Sequence, residues 1–494
     1  MSRYVLGIDQ GTTGSTVVVV GEDMRILARG YREFPQIFPE TGWVEHAPEA
    51  IWQSVLAALS QAVSESGIDP NDIAAIGITN QRETTVCVDL KGNLLYNAIV
   101  WQDRRTAQLC QELVNSGKGE ILRHRTGLVV DPYFSATKMR WLMESVPLIG
   151  RMAGMGEIRF GTIDTFLLYR LSGGAVWITD PSNASRTLLF NLRERRFDEQ
   201  LCDLVGVPSV FLPTVVPSQG TCCTTRNVPG LPDGIPITAI AGDQQAALFG
   251  QMCHEPGDAK CTFGTGAFLL MNVGKDVVTS KHGLLSTVAW QMSKPRHEFV
   301  YALEGSAFVA GALVQWLRDE LGIISTASEI ESLARSVPDS GGVMIVPALT
   351  GLGAPHWRPS ARGLISGVTR GTKKAHLARA ALEGIALQNC DLLSAMSTDS
   401  GVTLRSLRVD GGASQNDLLM QTQADFLGVD IIRSKWVEST ALGAAFMAGL
   451  SVDVWTDLEQ LHTRYEVDRV FSPKRPQTAV KVLLDRWREL VSCA

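Results

Sequence analysis

Strands and helices alternate through both halves of this chain, which predicts an α/β protein of two domains facing a cleft. Three observations carry that reading. The 494 residues exceed what one comfortable core organises. Short apolar or β-branched runs alternate with segments of helical apolar spacing from end to end. A pattern of strand, small-residue bend and strand opens the chain and returns near Ala259.

Residues 4–8 form an apolar strand, followed by Asp9-Gln10-Gly11-Thr12-Thr13-Gly14-Ser15, a loop of small and hydroxyl-bearing residues. Residues 16–20 are a β-branched strand, Gly21-Glu22-Asp23 a turn, and 26–31 a third strand, so the chain opens as a meander. In 49–65, Ile51, Val55, Leu56, Leu59 and Val63 recur at helical spacing. Residues 73–78 read as a buried strand leading into Thr79-Asn80-Gln81-Arg82-Glu83. Strands are expected at 85–89 and 97–101, and helices at 106–115 and 137–146. Ile237, Ala239, Ile240 and Ala241 make a strand that Gly242 ends, and Ala246 to Phe249 begin a helix. The second half starts near Glu255 with strands at 259–263 and 268–273 around Gly264-Thr265-Gly266-Ala267. It continues with a long helix at 304–321, a strand at 343–347, a Gly/Pro-rich loop at 350–359 and a long helix at 376–396. A strand at 404–409 and helices at 416–427 and 440–448 complete the pattern. The division expected is 1–250 and 255–494.

Composition narrows the function. With 45% hydrophobic and 19% charged residues the chain is of ordinary globular type. A net charge of -6 without a basic block argues against nucleic-acid binding. No apolar run reaches membrane-spanning length, and the N-terminus has no signal-peptide layout. The nine cysteines are scattered apart from Cys222-Cys223, without a C-x-x-C pair, which suits a reducing cytoplasm. The eight histidines, His297 among them, lack metal-ligand spacing.

The chemistry is expected at Asp243, a carboxylate between a strand end and a helix start, where open α/β sheets expose ligand-binding groups. An ionised Asp there can take a proton from a substrate hydroxyl; the plainer role is a helix cap. Three segments can offer backbone N–H groups to phosphates: Gly11 to Ser15, Gly264 to Gly266, and Asp410-Gly411-Gly412-Ala413. Singly each reads as a turn; together, without a Walker or Rossmann pattern, they point to a nucleotide clamped between domains. Arg82 and Glu83 can each bind a hydroxyl of a small polyol, or form a surface ion pair worth little. Trp101 can cover a carbon chain or pack in the core.

With these residues assembled, the sequence resembles the FGGY carbohydrate kinases, and within them the branch that acts on glycerol, across residues 4–471. GIDQGTTGST, GITNQRETT, NAIVWQDRRT, DPSNASRTLLFN, AGDQQAALFG, FGTGAFLLMN, ALEGSAFVAGALVQWLRD and VDGGASQND carry the likeness. The resemblance implies an actin-like ATPase fold: two ribonuclease H-like domains flanking a nucleotide-binding cleft. It implies transfer of the ATP γ-phosphoryl group to the 3-hydroxyl of glycerol. By motif match, Arg82, Glu83, Tyr133, Asp243 and Gln244 would bind the hydroxyls, Trp101 and Phe268 would line the carbon side, and Asp243 would be the base. Thr12, Thr13, Gly14 and Thr265 would face the β- and γ-phosphates. Gly311, Gln315, Gly412 and Asn416 would hold the nucleotide, with Asp9 and Asp243 near Mg²⁺. A cytoplasmic homo-oligomer, dimer or tetramer, follows by the same analogy. The chain departs from the family pattern at Thr16, where an arginine facing the phosphates is usual, so phosphate affinity and donor preference are open. The rival readings are a kinase for a related polyol or ketose, and a weakly active nucleotide-binding regulator of the same fold. An actin- or chaperone-type ATPase fits less well, because it has no small acceptor for Arg82, Glu83 and Gln244 to bind.

Overall fold

The computed structural model describes residues 3–294, 298–358 and 360–494; His297 and Pro359, the end of the expected 350–359 loop, lie outside them. Two mixed sheets organise the chain. The first has six strands in the order Gln219–Thr224, Pro236–Gly242, Ile73–Asn80, Tyr4–Gln10, Gly14–Val20 and Ile26–Glu33. Its meander is antiparallel. Tyr4–Gln10 runs parallel to Ile73–Asn80, which runs parallel to Pro236–Gly242. The seven-stranded second sheet repeats this plan. Asp258–Phe263 forms an antiparallel hairpin with Ala267–Gly274 and runs parallel to Ser406–Asp410, which is parallel to Asp430–Ser434. The short echo in the sequence is therefore a repeated half-sheet, and the carboxyl ends of its parallel strands are where such folds hold ligands.

Helix Pro48–Ser66 starts with Pro at its first turn and stops at left-handed Gly67, φ 67°. It lays Ile51, Val55 and Leu59 on the Leu6, Ile8, Val17 and Ile78 face of the first sheet. The other face of that sheet is covered from the far end of the chain by helix Ser439–Ser451. A Cβ on Gly77 would lie 2.0 Å from the Ala444 carbonyl oxygen, so the bare strand backbone is what admits this helix. The same helix crosses helix Asp243–Gly250, and a Cβ on Gly443 would lie 1.8 Å from the Ala246 oxygen. The two halves thus share one core, in which Val5, Val18, Phe249, Phe446 and Trp455 meet. Gly443→Ala is expected to lower the unfolding midpoint in urea by the equivalent of about 1–3 kcal/mol or more, because backbone has to move; an unchanged midpoint would contradict the crossing.

Most expected elements are present with slightly shifted ends. The helix expected at 304–321 is corrected: Glu298–Ala307 is a strand and the helix begins at Gly311, spanning Gly311–Asp319. The run from Glu304 is rich in small residues and has no clear period, and pairing with Ala267–Gly274 and Leu285–Met292 on either side decides it as strand. Leu285–Met292 itself was not anticipated. The strand at 97–101 contracts to Ala98–Ile99.

Asp164, fully buried in the first turn of helix Ile163–Leu171, accepts hydrogen bonds from the Thr162 and Thr179 hydroxyls, each at 2.5 Å. Burial pushes its carboxyl up to about 7. A raised folded-state value means its contribution is complete below the unfolded value and is lost as pH rises through about 7. Asp164→Asn is therefore expected to raise Tm relative to wild type more at pH 8 than at pH 5; an equal change at both would show that the carboxyl does not titrate there.

Candidate active site

Three strand ends of the first sheet converge on one cleft. Tyr4–Gln10 ends in the tight bend in which the Gly11 N–H donates to the Gly14 carbonyl at 2.9 Å. Ile73–Asn80 delivers Gln81, Arg82 and Glu83, and Pro236–Gly242 delivers Asp243. Gly242 is the residue before helix Asp243–Gly250, and Asp243 is its first residue, so the carboxylate does not cap from outside. Its Oδ1 instead accepts the Gln244 N–H at 2.7 Å and lies 3.2 Å from the Arg82 Nε.

Arg82 and Glu83 are 3% and 1% exposed, which removes the surface-pair reading. Arg82 donates to both Glu304 oxygens, at 2.6 and 3.1 Å, and to the Tyr133 hydroxyl at 3.3 Å. Glu83 and Glu304 are joined by Arg186, whose Nε is 2.6 Å from Glu83 and whose Nη2 is 3.0 Å from Glu304. Lys260 adds a third buried cation, bonded to the Gln244 side-chain oxygen and, at 3.0 Å, to the Thr262 hydroxyl. Three carboxylates and three cations are packed together, and the pairing of the two arginines with Glu83, Asp243 and Glu304 compensates their desolvation. The two arginines hold Glu304 well down, to about 2, against the effect of burial. Asp243 differs: burial raises it, opposed by Arg82, the Gln244 N–H and Lys260. Its side chain is 28% exposed against 2%, 2% and 3% for Arg82, Glu83 and Glu304, so Asp243 is the most open carboxylate of the cluster.

Trp101 is half-buried; its Nε1 donates to the Thr12 hydroxyl at 2.9 Å and its ring meets Tyr133 edge-on at 5.6 Å. It ties the first loop to the wall beside Arg82 rather than filling core. Phe268 is the second residue of Ala267–Gly274 and also half-buried. In the second half the Gly264 N–H donates to Gly266 at 2.8 Å, and the Thr265 carbonyl accepts the Ala310 and Ala312 N–H groups at 2.8 and 3.0 Å. That fixes Gly311 and Gln315 at the start of helix Gly311–Asp319 against the bend. Gly411 has φ 85° and a Cβ there would lie 2.4 Å from the Phe263 oxygen, so the turn beside Gly412 requires glycine. Asn416 caps helix Asp417–Leu427, accepting the Leu419 N–H at 2.9 Å, which commits its side-chain oxygen and leaves its amide nitrogen to donate. Thr13 is exposed on the first bend and Thr12 half-buried against Trp101, while Gly14 is buried against the Tyr31 ring.

Glu304, Arg186 and Lys260 had no role in the sequence reading. Each was legible as a single charged residue inside an otherwise apolar or small-residue stretch, ALEGSAF, NASRTLL and AKCTF. Arg186 is aimed inward by its own segment: Asp180 accepts the Ser182 and Asn183 N–H groups at 2.9 and 3.0 Å, and Ser182 in turn accepts the Gly242 N–H at 2.8 Å.

The N-terminal domain model of the FGGY family of carbohydrate kinases matches residues 4–250, and its C-terminal domain model matches 259–452. The chain is 52% identical over 490 residues to the glycerol kinase of Bdellovibrio bacteriovorus, covering 99% of each chain. It is 50% identical over 492 residues to glycerol kinase 2 of Thermotoga maritima, covering 99% of this chain and 98% of that one. The crystal structure of Plasmodium falciparum glycerol kinase with ADP superimposes at a TM-score of 0.94, with 35% identity over 99% of this chain and 98% of that one. A gluconate kinase from Lactobacillus acidophilus, 22% identical, shares the fold at a TM-score of 0.90 over 100% of this chain and 98% of its own. With both domain models matched in order and full-length relatives at half identity, this chain belongs to the FGGY family of carbohydrate kinases.

Proposed function

We propose that the protein transfers the γ-phosphoryl group of ATP to glycerol, giving sn-glycerol 3-phosphate and ADP. The observation that carries this reading is Asp243, the most open carboxylate in a buried set of charged groups. Relatives of half identity over the whole length are glycerol kinases, which supports the choice of acceptor. Arg82, Glu83, Tyr133 and Gln244 hold the hydroxyls, Trp101 and Phe268 cover the carbons, and Asp243 takes the proton of the attacking hydroxyl. Phosphoryl transfer needs positioning and charge neutralisation more than covalent help. A site built on paired hydroxyls rejects analogues that lack one, because its buried partners are left unbonded.

The Thr12, Thr13 and Gly14 bend and the Thr265 bend face the β- and γ-phosphates; Gly311, Gln315, Gly412 and Asn416 hold the rest of the nucleotide. Asp9 fits a magnesium ion: its Oδ1 is buried without a hydrogen-bond partner, and burial, Asp243 and Glu438 together push its carboxyl well up. Magnesium in kinases is usually bound by one or two carboxylates plus substrate phosphates, and Asp9 and Asp243 would be those carboxylates here. When bound it neutralises phosphate charge. Among the described residues no helix is long and apolar enough to cross a membrane. Cytoplasmic location and a homo-oligomeric state belong to the same reading, tested by fractionation and light scattering.

The deciding experiment is a coupled ADP-release assay with glycerol, dihydroxyacetone, erythritol and xylulose. Glycerol is expected to give the highest kcat/KM; preference for another acceptor selects the rival polyol or ketose kinase, and no turnover with any selects the regulator.

A further inference from the structure

The segment from Gly11 to Thr16 carries no cationic side chain, and on the face of position 16 the register sets a threonine beside the bend. The strand register identifies one nearby. Asp9 pairs with Thr16, Thr16 with Tyr31, and Val18 with Arg29. Directly paired residues and those two apart share a face, so Asp9, Thr16, Tyr31 and Arg29 project to the same side. The Arg29 guanidinium carbon lies 5.2 Å from the Tyr31 ring centroid. Tyr31 is directly opposite Thr16, and the same ring closes on Gly14: a Cβ there would lie 2.8 Å from it. The guanidinium therefore lies beside the ring that flanks the bend.

Its hydrogen bonding is incomplete. Nε donates to Glu438 at 2.6 Å, from the residue before helix Ser439–Ser451 in the other half of the chain. Glu438 makes no capping hydrogen bond to that helix. The two terminal nitrogens of Arg29 make no hydrogen bond among the described residues, and the side chain is 44% exposed. A guanidinium fixed through Nε presents two parallel N–H groups, the arrangement that grips a phosphate. We propose that Arg29, oriented by Glu438 and Tyr31, binds the nucleotide's β-phosphate and supplies the positive charge that position 16 lacks. The inference rests on the kinase reading for its ligand, and it joins both halves of the chain to the phosphate through one side chain.

The test compares wild type, Arg29→Gln, Arg29→Lys and the double variant Arg29→Gln with Thr16→Arg. Arg29→Gln is expected to raise both KM for ATP and the calorimetric Kd for ADP about tenfold, with KM for glycerol within about twofold. Arg29→Lys keeps the charge without the fork and falls between. Thr16→Arg, which projects from the same face, is expected to recover most of the ATP affinity. An unchanged ATP KM and ADP Kd in Arg29→Gln would overturn the inference and reduce the pair with Glu438 to a surface ion pair; an equal rise in both substrates' KM would assign Arg29 to the shape of the cleft instead. ADP calorimetry needs no acceptor, so a protein that binds ADP but phosphorylates no polyol fails the kinase reading while Arg29 is still judged on ADP affinity.

Discussion

Asp243→Asn is expected to lower kcat by roughly 10²–10⁴-fold with little loss of stability. The amide keeps the size of the carboxylate, and its oxygen can still accept the Gln244 N–H that now reaches Asp243 at 2.7 Å. What is lost is the capacity to take a proton. Glycerol KM is expected to move by less than tenfold, because hydroxyl pairing to Arg82, Glu83 and Gln244 is retained, and the effect on kcat and on kcat/KM should be similar. Burial raises the carboxyl of Asp243 above its usual value, with Arg82 opposing. Deprotonation is then completed at higher pH than for a free aspartate, so the acid limb of the wild-type kcat/KM profile should lie above the ordinary carboxylate range. Initial rates by coupled ADP release from pH 4 to 9 measure both. A variant that keeps more than a tenth of wild-type kcat would show that another group accepts the proton.

The fold was legible because its signals are local. The β-branched run at 16–20, the helical spacing at 49–65 and the apolar stretch ending at Gly242 each state their own conformation, and the bends at Gly11 and Gly264 are glycine- and threonine-rich for a physical reason. Asp243 was legible by its place at a strand end. The missing parts are long-range. Whether Glu304 sits on a strand or a helix depends on Ala267–Gly274 and Leu285–Met292 flanking it, and nothing within ALEGSAF records those neighbours. That Arg82 is sealed rather than solvated depends on Glu304, 222 positions away. The crossing of helix Ser439–Ser451 onto the first sheet was hidden in Gly77 and Gly443, glycines within a strand and a helix whose reason is another segment's backbone.

Glu304→Gln is expected to be the most destabilising conservative change in the cleft. The side chain keeps its shape, but Arg82 and Arg186, 3% and 0% exposed, are left facing each other with a neutral amide between them. Removing one partner of a buried charge set typically costs about 3–5 kcal/mol, and here the loss is shared by the walls of both halves. The folded-state carboxyl is lowered to about 2, below the ordinary value near 4.3 of an unfolded glutamate. Its contribution is thus fully present above the unfolded value and disappears as pH falls through the folded one. The gap in unfolding midpoint between wild type and Glu304→Gln should therefore be widest near neutrality and narrow from about pH 4.5 downward. Catalysis should suffer separately, since an Arg82 released from Glu304 is free to close on Asp243, 3.2 Å from its Nε, and to hold that carboxylate away from the substrate hydroxyl. Urea unfolding at pH 7 and pH 4, with glycerol KM at pH 7, measures both effects. A midpoint gap that is small and the same at both pH values would mean that Glu304 is not the charge that holds the two arginines, and that the cleft's walls are joined by packing alone.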